Sequence, residues 1–280
     1  MTSSAGKRDR EPRLLKRRPA WLVLATEQFG RRVRSTAVWG IALGALGALY
    51  VALYPSMSGL LEQYLQQASE NMQQFFGGQQ GPLTIERWLE IEFIGSIIPI
   101  ALPFLAMNIG ARAVAGAEER KTLDLLLSNP VPRRDVVLAA LVNMAGTLAT
   151  VLVCTWVLTI IAAPAAGVAL PPGRLAWGLL ALWPFCLFFG ALALLCSTLF
   201  RRSFLALAVP GVVLVAMYVV AQLAQASRVV EPLRVLSLFY HLGRPLEGEF
   251  PWLTTLGLLV AVAAMTAAAV AGFARRDIQT

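Results

Sequence analysis

Charge is what this sequence has least of. Only 14% of its 280 residues are Asp, Glu, Lys or Arg, against 57% hydrophobic residues and a mean hydropathy of +0.65. A water-soluble domain carries about a quarter of its residues as charged ones, so a soluble globular chain is excluded and lipid must cover what water cannot. Histidine is nearly absent too. The single one, His241, has no cysteine or carboxylate at metal-ligand spacing, so no metal site can be assembled around it. Of the three cysteines, Cys154, Cys186 and Cys196, all lie in apolar stretches and none forms a C-x-x-C pair. They read as small apolar filler rather than a disulfide framework.

Catalytic parts are missing as well. Lys121-Thr122 has the last pair of a phosphate-binding P-loop, but Arg120 stands where that loop needs glycine and Ala115 where its first glycine belongs. The chain therefore binds no ATP by itself. No G-x-S-x-G, H-E-x-x-H or paired carboxylates within the apolar runs occur, which argues against an enzyme. No apolar run of signal-peptide length falls within the first 34 residues, so the first hydrophobic stretch is a retained anchor.

What is present is long hydrophobic runs. Six are long enough to cross about 30 Å of hydrocarbon at 1.5 Å per helical residue. They cover residues 35–54, 93–115, 136–163, 175–200, 204–224 and 252–274. The expected fold is all-α: a basic tail over 1–34, a six-span transmembrane domain over 35–274, and a C-terminus over 275–280. An even number of spans puts both termini on one side. Lys and Arg decide which: 19 fall in the tail, the second-to-third loop, the fourth-to-fifth loop and the C-terminus, and 5 on the other face. Basic residues stay cytoplasmic, so both ends are expected inside. Arg outnumbers Lys 21 to 3, a bias that points to a GC-rich bacterial genome and thus to a bacterial cytoplasmic membrane. The basic tail has no interleaved base-reading residues, so its expected partner is anionic lipid, not nucleic acid.

Three short amphipathic helices are expected at the interfaces. Trp21, Leu22, Leu24, Ala25, Phe29 and Val33 form one apolar face before the first span, with Arg31, Arg32 and Arg34 towards headgroups. In the Gln-rich outer loop 55–92, Leu60, Leu61, Tyr64, Leu65, Ala68, Met72, Phe75 and Phe76 recur at helical steps, ending at Gly77-Gly78. That helix either lies on the membrane surface or packs as a lid on the spans. In the loop between the second and third spans, Leu123, Leu126 and Leu127 share a helical face that Asn129-Pro130 terminates.

Inside the spans the chemistry is sparse. Ion-coupled transporters need buried carboxylates or histidines; their absence from these runs implies that any energy arrives from outside the chain. Gly40, Gly44, Ala48 and Ala52 step by four along the first span, a face open to close helix approach. Gly40, Gly44 and Ala48 are candidates for contact with a second permease. Asn108 and Asn143 are the strongest buried hydrogen-bonding groups, candidates for a pathway lining or for interhelical contacts. Pro99, Pro103, Pro184 and Pro210 are expected to bend their helices.

The loop AGAEERKTLDLLLSNPVPRRD (residues 115–135) carries a resemblance. Glu118-Glu119, Thr122-Leu123, Leu126-Leu127, Pro130-Val131 and Arg133 follow, in order and spacing, the signature E-E-x-x-G-T-L-E-x-L-L-x-x-P-V-x-R. The segment resembles the cytoplasmic loop of type-2 ABC exporter permeases. Lys121 replaces the usual glycine and Asp124 the usual glutamate. Ser237-Leu238-Phe239-Tyr240-His241 with Pro245-Leu246 is similar to the outer loop before the family's last span, and Phe273-Ala274-Arg275-Arg276-Asp277-Ile278 to its common ending. The resemblance implies an export permease that moves a drug, lipid, peptide or similar cargo. It also implies pairing with a second permease, identical or paralogous, and with two copies of a cytosolic ATPase holding ATP and Mg. This chain would carry no cofactor of its own. Glu118, Glu119, Arg120, Thr122, Leu123, Leu126 and Leu127 would then engage the ATPase. A passive channel or an uncoupled membrane scaffold is the alternative reading.

Overall fold

A computed structural model describes residues 20–67, 84–119, 132–226, 231–248 and 250–275. Among them there is helix and no strand, and six helices are long and apolar enough to span a membrane: Arg32–Gly59, Ile85–Ala113, Arg133–Ala165, Pro172–Leu199, Ser203–Ala224 and Trp252–Ala274. The expected six-span, all-helical class holds.

Two boundaries differ for physical reasons. The first span is part of one helix, Ala20–Gln67, of 48 residues. At 1.5 Å per residue it extends roughly 70 Å, more than twice the hydrocarbon thickness. The tail-side amphipathic helix and the beginning of the outer-loop helix are therefore continuous with the span, not separate interfacial elements. Pro55 lies inside this helix without breaking it, and the Ser56 hydroxyl donates to the Leu53 carbonyl beside it at 2.9 Å. Of the outer-loop residues, 68–83 lie outside the described ones.

The second span starts at Ile85, eight residues ahead of the hydropathy boundary. Thr84 caps it, its hydroxyl accepting from the Arg87 N–H at 3.3 Å. The helix then widens into a π-helical stretch, Glu90–Ile97, where the Ile98 N–H reaches back five residues to the Phe93 carbonyl. Pro99 follows immediately. A proline ring clashes with the carbonyl four residues back, and a wider turn is one way to relieve it.

Burial sorts the spans. The fourth is the most enclosed, with 72% of its most apolar stretch buried, and the second follows at 61%; the fifth and sixth reach only 22% and 28%. The centre is therefore the second and fourth spans, and glycine is what lets them touch. A Cβ at Gly110 would collide with the Gly190 carbonyl oxygen and sit 2.9 Å from the Leu194 nitrogen. One at Gly190 would lie 2.9 Å from both the Ala106 Cβ and the Met144 sulfur. Around this contact Leu102, Met107, Phe185 and Phe189 are completely buried.

The stripe on the first span is used within the chain. A Cβ at Gly40 would stand 2.8 Å from the Cys154 Cβ, and one at Gly44 would overlap Leu158, both on the third span. Close approach does occur there, but the helix that approaches is the chain's own third span. Gly40 and Gly44 thus let the first and third spans pack closely.

Candidate functional site

Two ends of the bundle can be distinguished. One carries the second-to-third and fourth-to-fifth loops, with Arg112, Arg133, Arg134, Arg201 and Arg202; it is the basic end. At this end the second span turns at Val114, whose carbonyl accepts from the Ala117 and Glu118 N–H groups at 3.1 and 3.0 Å. The short helix Ala115–Glu119 follows, with Ala115, Gly116 and Ala117 buried. Gly116 lets this turn fold back on the second span, where a Cβ would lie 3.0 Å from the Arg112 Cβ, and the turn lies in ordinary contact range of Ser203 on the fifth span.

That closeness delivers Glu119 to the start of the fifth span. Its Oε1 accepts from the Ser203 N–H at 2.9 Å and its Oε2 from the Ser203 hydroxyl at 2.5 Å. The first N–H groups of a helix have no partner within it, and the helix dipole favours negative charge there, so a carboxylate with two acceptors meets both needs. Glu118 is half-buried beside it.

The other stem is built with the opposite charge. Arg133 opens the third span, and its Nη1 donates to the carbonyls of Phe273 at 2.8 Å and Ala274 at 3.2 Å. The guanidinium also stands 5.5 Å above the Phe273 ring. These are end carbonyls of the sixth span, where a cation complements the dipole. Thus the segment 120–131 runs between two stems, each fastened to the end of a different span. Arg120, Thr122, Leu123, Leu126 and Leu127 lie within it and outside the described residues.

The opposite end is closed by the residues between the fifth and sixth spans. A 3-10 turn, Glu231–Leu236, a short helix, Leu238–His241, and a second 3-10 turn, Pro245–Glu247, fold over the bundle. The Ser237 hydroxyl donates to the Met217 carbonyl at 2.7 Å, tying this cap to the fifth span. His241 Nε2 pairs with the Val235 carbonyl at 2.8 Å, a structural role within the cap. Leu246 is fully buried over Gly178 of the fourth span, where a Cβ would strike its side chain. Its N–H donates to Glu90 Oε2 at 2.8 Å. Beside this, Arg174 and Glu86 pair at 3.3 Å, and the Trp88 indole N–H donates to the Tyr50 carbonyl at 3.1 Å. Trp177 meets the rings of Phe250 and Trp252 edge-on, and those two lie tilted against each other, at the ends of the fourth and sixth spans, where aromatic rings suit a membrane interface.

Glu90 is the buried carboxylate that hydropathy missed. It falls within the outer loop 55–92 by hydropathy, yet it is only 7% exposed and accepts from the cap's Leu246 N–H. Its signal lies in the buried pairs Trp88-Leu89 and Phe93-Ile94 that flank it five residues apart, masked by Glu86 and Glu92. Glu90→Leu should leave the Leu246 N–H buried without an acceptor, a loss of about 1–3 kcal/mol in local stability. Hydrogen exchange should show faster opening of residues 245–247 in that variant and near-normal protection in Glu90→Gln. Unchanged exchange in Glu90→Leu would mean that the carboxylate does not hold the cap.

The two asparagines are placed differently. Asn143 is buried, and its Oδ1 accepts from the Thr147 hydroxyl one turn along the same helix at 3.4 Å. Asn108 is half-buried on the second span. Neither residue belongs to the fastened stems or to the cap.

Residues 22–247 match the sequence profile of a family described as ABC-2 family transporter protein. No curated protein matches the chain.

Proposed function

The chain belongs to the ABC-2 family of transporter proteins, and from that premise we propose that it is the membrane permease of an ATP-driven exporter, powered by a separate ATPase subunit. The observation that supports this best is the construction at the basic end. A loop of 12 residues, 120–131, is rich in leucine and carried on two stems fastened to the ends of other spans. A loop that only joined two helices would have no need of such fastening. One that receives a push must be stiff where it meets the bundle.

In this reading Leu123, Leu126 and Leu127 enter a groove on the ATPase, with Arg120 and Thr122 at its edge, and the nucleotide and its magnesium belong entirely to that partner. Glu119 acts on this chain's own fifth span rather than on the motor. A second permease, identical or paralogous, completes the transporter. The exposed apolar faces of the fifth span, including Phe204, Val212 and Val219, are where lipid or that second permease is accommodated. Cargo is a drug, lipid, peptide or similar molecule moved outward across a bacterial cytoplasmic membrane. The protein is expected to work in a full complex of permeases and ATPases, and co-purification from its native membrane tests this. A tagged chain recovered without an ATP-hydrolysing subunit, under conditions that keep known exporters whole, would refute it.

Orientation is a separate expectation. The basic end faces the cytoplasm, following the 19-to-5 division of Lys and Arg. Cysteines introduced by Gln74→Cys or Gly248→Cys should react with an impermeant maleimide in intact cells; those from Ser128→Cys or Gln279→Cys should react only after permeabilisation. Labelling at position 128 from outside would invert the topology.

A further inference from the structure

Each stem of the 120–131 segment reaches past its own helix to a span that is far away in sequence. Glu119, at the end of the second span's extension, grips Ser203, 84 residues on, with both carboxylate oxygens. Arg133, at the start of the third span, grips the Phe273 and Ala274 carbonyls, about 140 residues on. The charges are matched to the ends they hold, acid at a helix N-terminus and base at a C-terminus, so pulling either contact apart works against a charge-assisted hydrogen bond and the helix dipole together.

The spans held in this way are the two least embedded ones. With 22% and 28% of their apolar stretches buried, the fifth and sixth have the fewest internal neighbours resisting a tilt. The first span is similarly exposed, at 33%. At the far end, the fifth and sixth spans are joined by the very residues that close the bundle. That cap is tied to the fifth span through Ser237 and Met217 and rests on the second and fourth through Glu90 and Leu246. A continuous set of contacts therefore runs from the loop to the cap.

We propose that Glu119 and Arg133 are positioning residues that carry a displacement of the 120–131 segment separately to the fifth span, through Ser203, and to the sixth span, through the Phe273 and Ala274 carbonyls. The proposal rests on reading that segment as the ATPase contact. Glu119 determines whether the fifth span follows the loop, and Arg133 whether the sixth does. The two routes enter the bundle at different helices, because Ser203 begins the fifth span and Phe273 and Ala274 end the sixth.

The experiment uses the full permease–ATPase complex in lipid nanodiscs, with Cys154, Cys186 and Cys196 replaced by alanine. A single reporter thiol is introduced by Phe204→Cys or Ala271→Cys, both exposed positions at the basic ends of the fifth and sixth spans. Its rate of reaction with a maleimide is compared between the nucleotide-free complex and one trapped with ATP and vanadate. In the parent complex both rates should change on trapping. In Glu119→Ala the change at 204 should vanish while that at 271 persists and the ATPase remains bound; Arg133→Ala should show the reverse. Glu119→Gln, which keeps an acceptor for the Ser203 N–H, should restore most of the response at 204, as a purely structural defect would not. If Glu119→Ala fails to assemble, Ser203→Ala removes only the hydroxyl contact and is scored by the same response, which should be reduced at 204 alone. A parent complex that retains the ATPase, with the response at 204 intact in both Glu119→Ala and Ser203→Ala, overturns the linkage while leaving the coupling reading standing. A parent chain that holds no ATPase overturns the coupling reading, and the linkage with it.

Discussion

Gly110→Ala should be among the costliest glycine-to-alanine changes at the described glycines. The new Cβ would meet the backbone of the fourth span, the Gly190 carbonyl and the Leu194 nitrogen, not a side chain that could rotate away. The Ala193 Cβ, 3.3 Å off, closes the remaining direction. Relief requires the second and fourth spans to move apart, and these are the two most enclosed helices in the chain. Overpacking a filled interior costs about 1–3 kcal/mol even where side chains can yield, so a backbone clash belongs at or above the top of that range. Association of helices in lipid depends on van der Waals packing rather than on a hydrophobic driving force. Separating the pair forfeits the contacts that define the bundle. Gly257 supplies the control, since a Cβ there meets nothing within 4 Å and Gly257→Ala should be neutral or slightly stabilising. Thermal unfolding in detergent, followed by size-exclusion recovery, should separate the two variants widely. Equal midpoints would show that the second and fourth spans do not meet backbone to backbone.

The same glycines show where sequence reading reaches its limit. Six spans were legible because each is a run of apolar residues, and length and hydropathy are local properties. Gly40 and Gly44 were legible as a close-approach face, but their spacing says nothing about which helix approaches. The third span does, 114 residues on from Gly40 at Cys154, and only the folded chain contains that information. Glu90 failed for a related reason. A hydropathy window penalises Glu86, Glu90 and Glu92 equally, although one of the three is paid for by a backbone N–H 156 residues away. At the basic end the acidic pair was visible, and its fine geometry was not. Ser203 follows Arg201-Arg202 in what reads as an ordinary loop, with nothing local to mark it as the group that Glu119 holds. Long-range hydrogen bonds leave no periodicity, so the site was legible as a segment and illegible as a set of contacts.

Leu126→Asp is expected to separate the permease from its motor without disturbing the spans. Leu126 lies in the middle of the 120–131 segment, three residues from Leu123 and next to Leu127, a spacing that would put the three on one face of a helix. Burying one such leucine in a partner's groove contributes about 1.5–3 kcal/mol, and replacing it with a carboxylate adds the cost of desolvating a charge that has no partner there. Together these exceed what one edge contact can offset. Each 1.4 kcal/mol is about tenfold in affinity, so the expected loss is on the order of a hundredfold or more. Glu118→Ala should be milder for binding, because Glu118 is half-buried on the stem and lies outside the leucine-rich segment. Glu119→Ala should leave binding nearly untouched, because that carboxylate is engaged with Ser203 inside the chain. On the proposed reading the three variants sort by position: Leu126→Asp should lose the ATPase, and Glu119→Ala should keep it but lose the response of the bundle. Pull-down of the ATPase from each detergent-solubilised variant, with thermal unfolding of the same samples, reads both. Retention of the ATPase at parental affinity in Leu126→Asp would mean that this face meets no motor, and the coupling role of the loop would have to be abandoned.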